Sequence, residues 1–389
     1  MSRLPRTVRL IVVAALLLGP LAASGAAAAT SRQSSFVDST VTVTHRANVH
    51  LGGLVYVAPF ARLLAGGRPD KSIFVGDESN IQDSVRVDAG GGAVRLGDQV
   101  LVAHGAEVLD GAELGTQGTC PAGEDPCPSF VGFNAQVDGA VIDKDSMVLT
   151  LARVGPGVHL PSGRKVLMGR NIISQAQVMA KTEPVTAADR AFMQGVLEVN
   201  VAFAKGYAQL RAEDPANVRG INYDPAGTDF NPGRDLPTMA GEPTRNPKFH
   251  NRIIGAVHLA DDLRRLRRVM GRQDSLRADE GEPFEVGTIR SMGRQATFHA
   301  LEHTEMQLGD GATYGPHSVV HGGPAFDATT RSGDDLKLAT WAVLFQSHVG
   351  DHVRIGAKSL VQSSDLADGT VVPDRTVIVG GLVVGTVEW

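Results

Sequence analysis

The sequence predicts a mainly β protein: a parallel β-helix in two copies, with a packing α-helix after the first. Three observations carry this. An aliphatic residue recurs at every sixth position in Leu96-Gly-Asp-Gln-Val-Leu, Val102-Ala-His-Gly-Ala-Glu and Val108-Leu-Asp-Gly-Ala-Glu, the repeat of a coil with three short faces. The pattern returns at Leu308-Gly-Asp-Gly-Ala-Thr, Val349-Gly-Asp-His-Val-Arg and Ile355-Gly-Ala-Lys-Ser-Leu, which divides the chain into copy one (43–212) and copy two (252–389). Finally, 389 residues with 45 Gly and only 5% aromatics are too many, and too poor in large rings, for one ordinary core. In such a coil each aliphatic stacks on its equivalent one turn away, and Gly and Asp are expected at the corners, where φ turns positive.

The remaining segments follow in order. Arg3, Arg6 and Arg9 precede an apolar run from Leu10 to Leu21 and an Ala-rich stretch with an Ala-x-Ala cleavage pattern, so residues 1–30 read as a signal peptide and the mature protein as secreted. The run is shorter than the roughly 20 residues of a membrane span, and no membrane association is expected after its removal. Cys120 and Cys127 close a short loop and are expected to form a disulfide in an oxidising compartment, since a metal or redox role would want Cys-x-x-Cys or adjacent His. Between Thr186 and Leu210, the spacing of Phe192, Val196, Val199, Phe203 and Leu210 behind a Thr186/Asp189 start predicts an amphipathic helix on the β-helix. Residues 213–250, rich in Pro, Gly and Asn, read as a linker. A net charge of −5 leaves no basic excess for nucleic acid.

Several of these segments resemble the γ-class carbonic anhydrases. In copy one they are Phe74-Val-Gly-Asp-Glu-Ser-Asn-Ile-Gln-Asp83, Leu96 to Gly115, and Val199-Asn-Val-Ala-Phe-Ala-Lys-Gly-Tyr207. In copy two they are Arg277-Ala-Asp-Glu-Gly-Glu-Pro-Phe-Glu-Val-Gly287, Phe298-His-Ala-Leu-Glu302 and Leu308 to Gly322. The resemblance implies a left-handed β-helix and trimer-like packing of β-helices in a homo-oligomer. It also implies a metal at each interface, with two histidines from one subunit and a third from its neighbour. CO₂ and bicarbonate are the implied partners.

Carried over residue by residue, the ligand set is split. The first position is Asp88 in copy one and His299 in copy two. Measured from Leu96 and Leu308, the second is His104 or Pro316, and the third Leu109 or His321. Each copy keeps what the other has lost, so His104, His299 and His321 are expected to meet where copy one faces copy two. The surroundings divide likewise. Copy two holds Arg277, Asp279, Glu280 and Glu302; copy one holds Asn80, Gln82 and Asp83, where copy two has Ser291, Gly293 and Arg294. The resemblance implies interface roles for Arg277, Asp279 and Asp83. It implies proton movement for Glu280 and Glu302, orientation of hydroxide or product for Gln82, and pocket positions for Asn80 and Asn200. His303, His317, His348 and His352 lie off the ligand positions.

Three neutral imidazoles leave Zn²⁺ an open position where bound water ionises at a pKa of about 7 rather than about 15.7. Hydroxide so formed attacks CO₂ to give bicarbonate, and carboxylates carry the released proton. Fe²⁺ or Co²⁺ suit the same ligands. Two other readings share the fold: a metal-binding or structural homologue without activity, and a hexapeptide acyltransferase with a His base and a carrier-bound acyl donor. Secretion and the Arg277-Ala-Asp-Glu-Gly segment speak against the acyltransferase.

Overall fold

The structure, a computed structural model, describes residues 34–218, 221–222, 239–240, 250–255, 257–280 and 282–389. The expected signal peptide and most of the expected linker lie outside them. Among the described residues copy one forms sheets of eight, seven and six strands, and copy two sheets of nine, seven and five, the first two of which open with Ile221–Asn222 and Met239–Ala240 from the expected linker. In copy one each sheet takes every third strand, as a chain coiling through three faces requires. Neighbours pair in parallel, Leu101 standing between Asn80 and Phe130. The two exceptions are the closing pairs, Arg164–Val166 with Thr182–Pro184 and Thr376–Val379 with Leu382–Thr386, which are antiparallel. Both copies are left-handed parallel β-helices of hexapeptide type.

The six-residue repeat builds the interior directly. In copy one Val57, Ile81, Val102, Val131, Val148 and Val166 stack in register, all fully buried. Ile253, Leu276, Phe298, Val320, Leu344 and Val361 do the same in copy two. Each such side chain contributes about 1.5–3 kcal/mol when withdrawn from water.

The corners meet expectation in part: Gly105, Gly111, Gly311 and Asp110 take positive φ, at 70°, 86°, 72° and 51°. The Gly after each aliphatic is not where φ turns positive; it is where the next coil comes too close for a side chain. A Cβ on Gly97 would lie 2.2 Å from the Gly115 carbonyl oxygen, and one on Gly309 2.5 Å from that of Gly333. The positive φ falls two residues later, at Gln99 (57°), His352 (57°) and Lys358 (53°). The Asp between them accepts a backbone N–H from the neighbouring coil, in a ladder from Asp310 through Asp334 and Asp351 to Asp368, with distances of 2.7–2.9 Å.

Helix α1, Ala187–Glu213, begins at a capping box between Thr186 and Asp189, which satisfies two otherwise orphaned donors. Its buried face is turned from the expected one. Met193, Leu197, Asn200, Ala204 and Tyr207 are buried with Phe203 and Leu210, while Phe192, Val196 and Val199 are only half-buried. The reason is that α1 has two neighbours. Met193 and Leu197 pack with Leu101 and Phe130 of copy one and with Val319, Val343 and Phe345 of copy two; further along, Phe203 and Tyr207 join Phe36, Tyr56 and Ile254.

Three further features were not foreseen. Phe36–Val37 pairs with Tyr56–Val57, so copy one's first strand precedes residue 43. A seven-residue helix, α2 (Leu263–Val269), is capped by Asp262. Copy two's last residues fasten onto copy one: Trp389 Nε1 donates to the Leu151 carbonyl at 2.6 Å, and Glu388 pairs with Arg170 and Lys181. A second fastening is the buried pair Arg252–Asp38 at 2.9 Å. Cys120 and Cys127 are joined, their Cα atoms 5.7 Å apart.

Two measurements test these packing arguments. Gly97→Ala should lower the unfolding free energy by about 2 kcal/mol or more through the clash. Gly195→Ala, at an exposed helical position with nothing within 4 Å, should raise it by about 1 kcal/mol; denaturant midpoints at unchanged slope read both. The second concerns Asp274, which is pushed up to about 7 by burial against its backbone hydrogen bonds. Its folded-state pKa exceeds the unfolded value, so its contribution is fully present below about pH 4 and is lost as pH rises through 7. Asp274→Asn should therefore gain stability relative to the parent between pH 5 and 8, and a parallel pH dependence of the two proteins would contradict this.

Candidate functional site

In copy two the strands Ser275–Ala278, Thr297–Ala300 and Val319–Gly322 stack so that Arg277, His299 and His321 stand in one column. Their neighbours Leu276, Phe298 and Val320 fill the core, so two-residue alternation turns the column outward, toward copy one. There His104 follows strand Val100–Val102, and Asp83 follows Asn80–Ile81 one coil away. The three imidazoles converge across the join. Ring centroids are 5.1 Å apart for His104–His299, 5.4 Å for His104–His321 and 5.2 Å for His299–His321. One nitrogen from each lies within 4.8 Å of the others, and all three residues are buried.

Each ring turns its second nitrogen toward an acceptor, as a hydrogen bond for His321 and as a close ion-pair contact without hydrogen-bond alignment for His104 and His299. His104 Nδ1 is 3.1 Å from Asp83 Oδ2, His299 Nε2 is 3.2 Å from Asp279 Oδ1, and His321 Nδ1 is 2.7 Å from the Gly322 carbonyl. Such neighbours favour the proton on the facing nitrogen, which leaves a lone pair on the other. His299 Nδ1 and His321 Nε2 then face each other at 3.3 Å with no proton between them, an arrangement that a cation relieves. Protonation is opposed at all three. Burial lowers His104, takes His299 to about 4 with help from the Arg277 charge, and holds His321 well below the ordinary value. A set of three neutral imidazoles with fixed tautomers fits a divalent metal.

Beneath the histidines lies a buried ionic cluster spanning both copies. Fully buried Arg277 stands 3.4 Å from Asp83 and 3.5 Å from Asp279, and donates to the Tyr56 hydroxyl and to Gln82 Oε1. Burial pushes both aspartates upward, but the guanidinium and the histidine contacts outweigh it and hold them below the usual carboxylate range. Ser275 donates to Asp83 Oδ1 at 2.6 Å, and the Tyr207 hydroxyl donates to Asp279. Gln82 donates to Asn200, whose own amide is oriented by the Val196 carbonyl at 2.7 Å. Asn80 is buried with its Nδ2 unpartnered.

The two glutamates are placed differently. Glu280 is nearly buried, 3.7 Å from His299, and pushed up to about 8 by burial. Glu302 lies on the rim with its side chain 62% exposed, linked to Glu280 through its backbone N–H at 3.1 Å. A cavity of about 40 Å³ opens over the histidines, with Asn80, Gln82, Asn200 and Glu280 on one side and Leu101, Phe130, Phe133, Phe192, Val196, Leu301 and Phe345 on the other. Sequence reasoning missed this apolar wall, and also Tyr56, Tyr207 and Ser275. Ser275 alone left a usable signal, standing two residues before Arg277 and hence on the same face. His317 sits at a corner against Trp341, with ring centroids 5.3 Å apart, and takes no part.

Comparisons find several similar proteins. The carbonic anhydrase of Methanosarcina thermophila is 29% identical over 201 residues, covering 44% of this chain and 74% of that protein. The carboxysome assembly protein CcmM of Synechococcus elongatus is 31% identical over 112 residues, 26% of this chain but only 20% of that protein. Among solved structures, a hexapeptide transferase family protein from Anaplasma phagocytophilum matches at 24% identity, covering 44% of this chain and 91% of its own, with a TM-score of 0.31. No family model matches. With its hexapeptide coils and two sets of sheets the chain forms two left-handed β-helices, and its sequence is similar to that of a γ-class carbonic anhydrase.

Proposed function

We propose that the protein is a secreted carbonic anhydrase that interconverts CO₂ and bicarbonate at one composite metal site per chain, formed by His104, His299 and His321. The observation that carries this reading is the convergence of three buried imidazoles, each with its other nitrogen beside an acceptor, Asp83, Asp279 or the Gly322 carbonyl. A divalent ion there, Zn²⁺ or else Fe²⁺ or Co²⁺, supplies a water acidic enough to lose its proton near neutral pH.

The chain's own residues provide the rest. Asp83, Asp279 and the Gly322 carbonyl keep the ligand tautomers. The Gln82 amide, oriented by Arg277 and Asn200, presents a polar edge to a bound oxygen, and Asn80 offers a free N–H₂ beside it. The apolar wall admits a small molecule without charge. The small space over the histidines suits a triatomic substrate. Glu280, raised to about 8 by burial, is mostly protonated at neutrality and takes up the departing proton in its ionised fraction, and exposed Glu302 passes it to solvent. Arg277 stabilises the join between the copies. By the same reading, further β-helices pack around the pair in trimer-like fashion.

Metal analysis and CO₂ hydration by the purified protein decide the matter. His104→Ala and His299→Ala should each abolish stoichiometric metal and lower kcat/KM by at least about 100-fold; retention of metal and activity by either would refute a shared site. Metal binding without hydration would point to the inactive homologue. Removing Arg277 should act on stability. Arg277→Met leaves Asp83 and Asp279 buried without their cation and should cost about 3–5 kcal/mol in denaturant unfolding.

A further inference from the structure

The cavity over the histidines meets solvent at a corner of copy two whose residues run outward in order. Leu301 lines the cavity, Glu302 stands on its rim, and His303, at φ 59°, is 83% exposed. Thr304 closes the turn with its N–H on the Leu301 carbonyl at 3.1 Å, and the Glu282 N–H donates to the Thr304 carbonyl at 2.7 Å. The His303 ring stands between two carboxylates, Nε2 3.7 Å from Glu302 Oε1 and Nδ1 3.8 Å from Glu282 Oε1. Among the described residues the ring has no hydrogen bond and no aromatic contact, and His303 is the one basic partner of Glu302. Packing gives no reason for an imidazole at this corner.

We propose that His303 is the outlet of the proton route, taking protons from Glu302 and handing them to water or a buffer base; this rests on the reading of the histidine site as a carbonic anhydrase. Each CO₂ converted to bicarbonate releases one proton, and a group that exports it must both gain and lose it near ambient pH. Imidazole is the side chain that does so between about pH 5 and pH 8, whereas a carboxyl group in water is almost always ionised there and seldom holds a proton to pass on. In the transfer the Glu302 O–H bond breaks with its electron pair left on the carboxylate, and the proton adds to the Nε2 lone pair. The imidazolium then loses its Nδ1 proton to solvent, and rotation of the exposed ring or exchange through water restores the starting tautomer. A distance of 3.7 Å is spanned by one bridging water or closed by rotation, which two exposed side chains allow. Glu282, on the other side of the ring, places a second negative charge beside the transient cation. His303 makes no hydrogen bond or ring contact with His104, His299 or His321, so metal binding is left to them.

Stopped-flow CO₂ hydration in dilute and concentrated buffer tests this. His303→Ala and His303→Gln should each lower kcat about tenfold in dilute buffer while kcat/KM and metal content stay unchanged, because the proton leaves after bicarbonate has formed. Added imidazole should restore kcat, and in a Glu302→Gln background His303→Ala should have little further effect, as for two stations on one route. In the metal-free protein, NMR should show the His303 ring changing its charge between about pH 5 and pH 8. A ring of fixed charge over that range, a kcat unmoved by either substitution, or equal falls in kcat and kcat/KM that imidazole does not repair would each overturn the relay and leave the metal site standing. Wild-type protein that binds metal but hydrates no CO₂ would instead overturn the reading on which the relay rests, and the relay with it.

Discussion

The histidine site at the join between the two β-helices depends on one buried cation. Arg277 has no exposure to water, and its charge is balanced from both sides of the join, by Asp83 of copy one and Asp279 of copy two. Those aspartates in turn hold His104 and His299, so the guanidinium fixes the histidines at one remove. A buried charge pair gains little over a well-packed apolar contact, yet losing one member is severe. The cluster therefore specifies how the copies face each other more than it adds to their affinity. The adhesion comes from the apolar seam in which α1 is wedged between the copies.

This division explains how each copy tolerates its losses. Asp88 and Leu109 lie on copy one's seven-stranded sheet, and Pro316 follows Ala312–Tyr314 on copy two's five-stranded sheet. Neither face takes part in the histidine cluster. Asp88 has become a surface partner of Arg86, and Leu109 packs as an aliphatic. The faces that do meet, copy one's eight-stranded sheet and copy two's nine-stranded sheet, carry the complementary residues.

Much of this was legible in the sequence, because the coil's period is short and strict. The stacking aliphatics fall every sixth residue, and two-residue alternation places His299 and His321 on one outward column. Positive φ was rightly expected at Gly105, Gly111 and Gly311 but not at Gly97 or Gly309, because Gly also serves close backbone approach and sequence does not separate the two uses. The α1 face was misjudged because periodicity finds a single apolar stripe, whereas this helix contacts both copies and buries polar Asn200 and Tyr207 as well. The apolar wall of the cavity escaped notice because Phe130, Phe133 and Phe345 each look like ordinary packing residues until two coils from different copies are brought together.

Placing both half-sites on one polypeptide has a kinetic consequence. When a shared site is built from separate subunits, its occupancy falls as the protein is diluted. Here His104 and His299 are tethered, and the partner half is present at an effective concentration on the order of millimolar. The C-terminal latch of Glu388 and Trp389 on copy one removes further freedom. Assembly of the histidine cluster is thus a folding event governed by temperature and solvent, and concentration drops out of it.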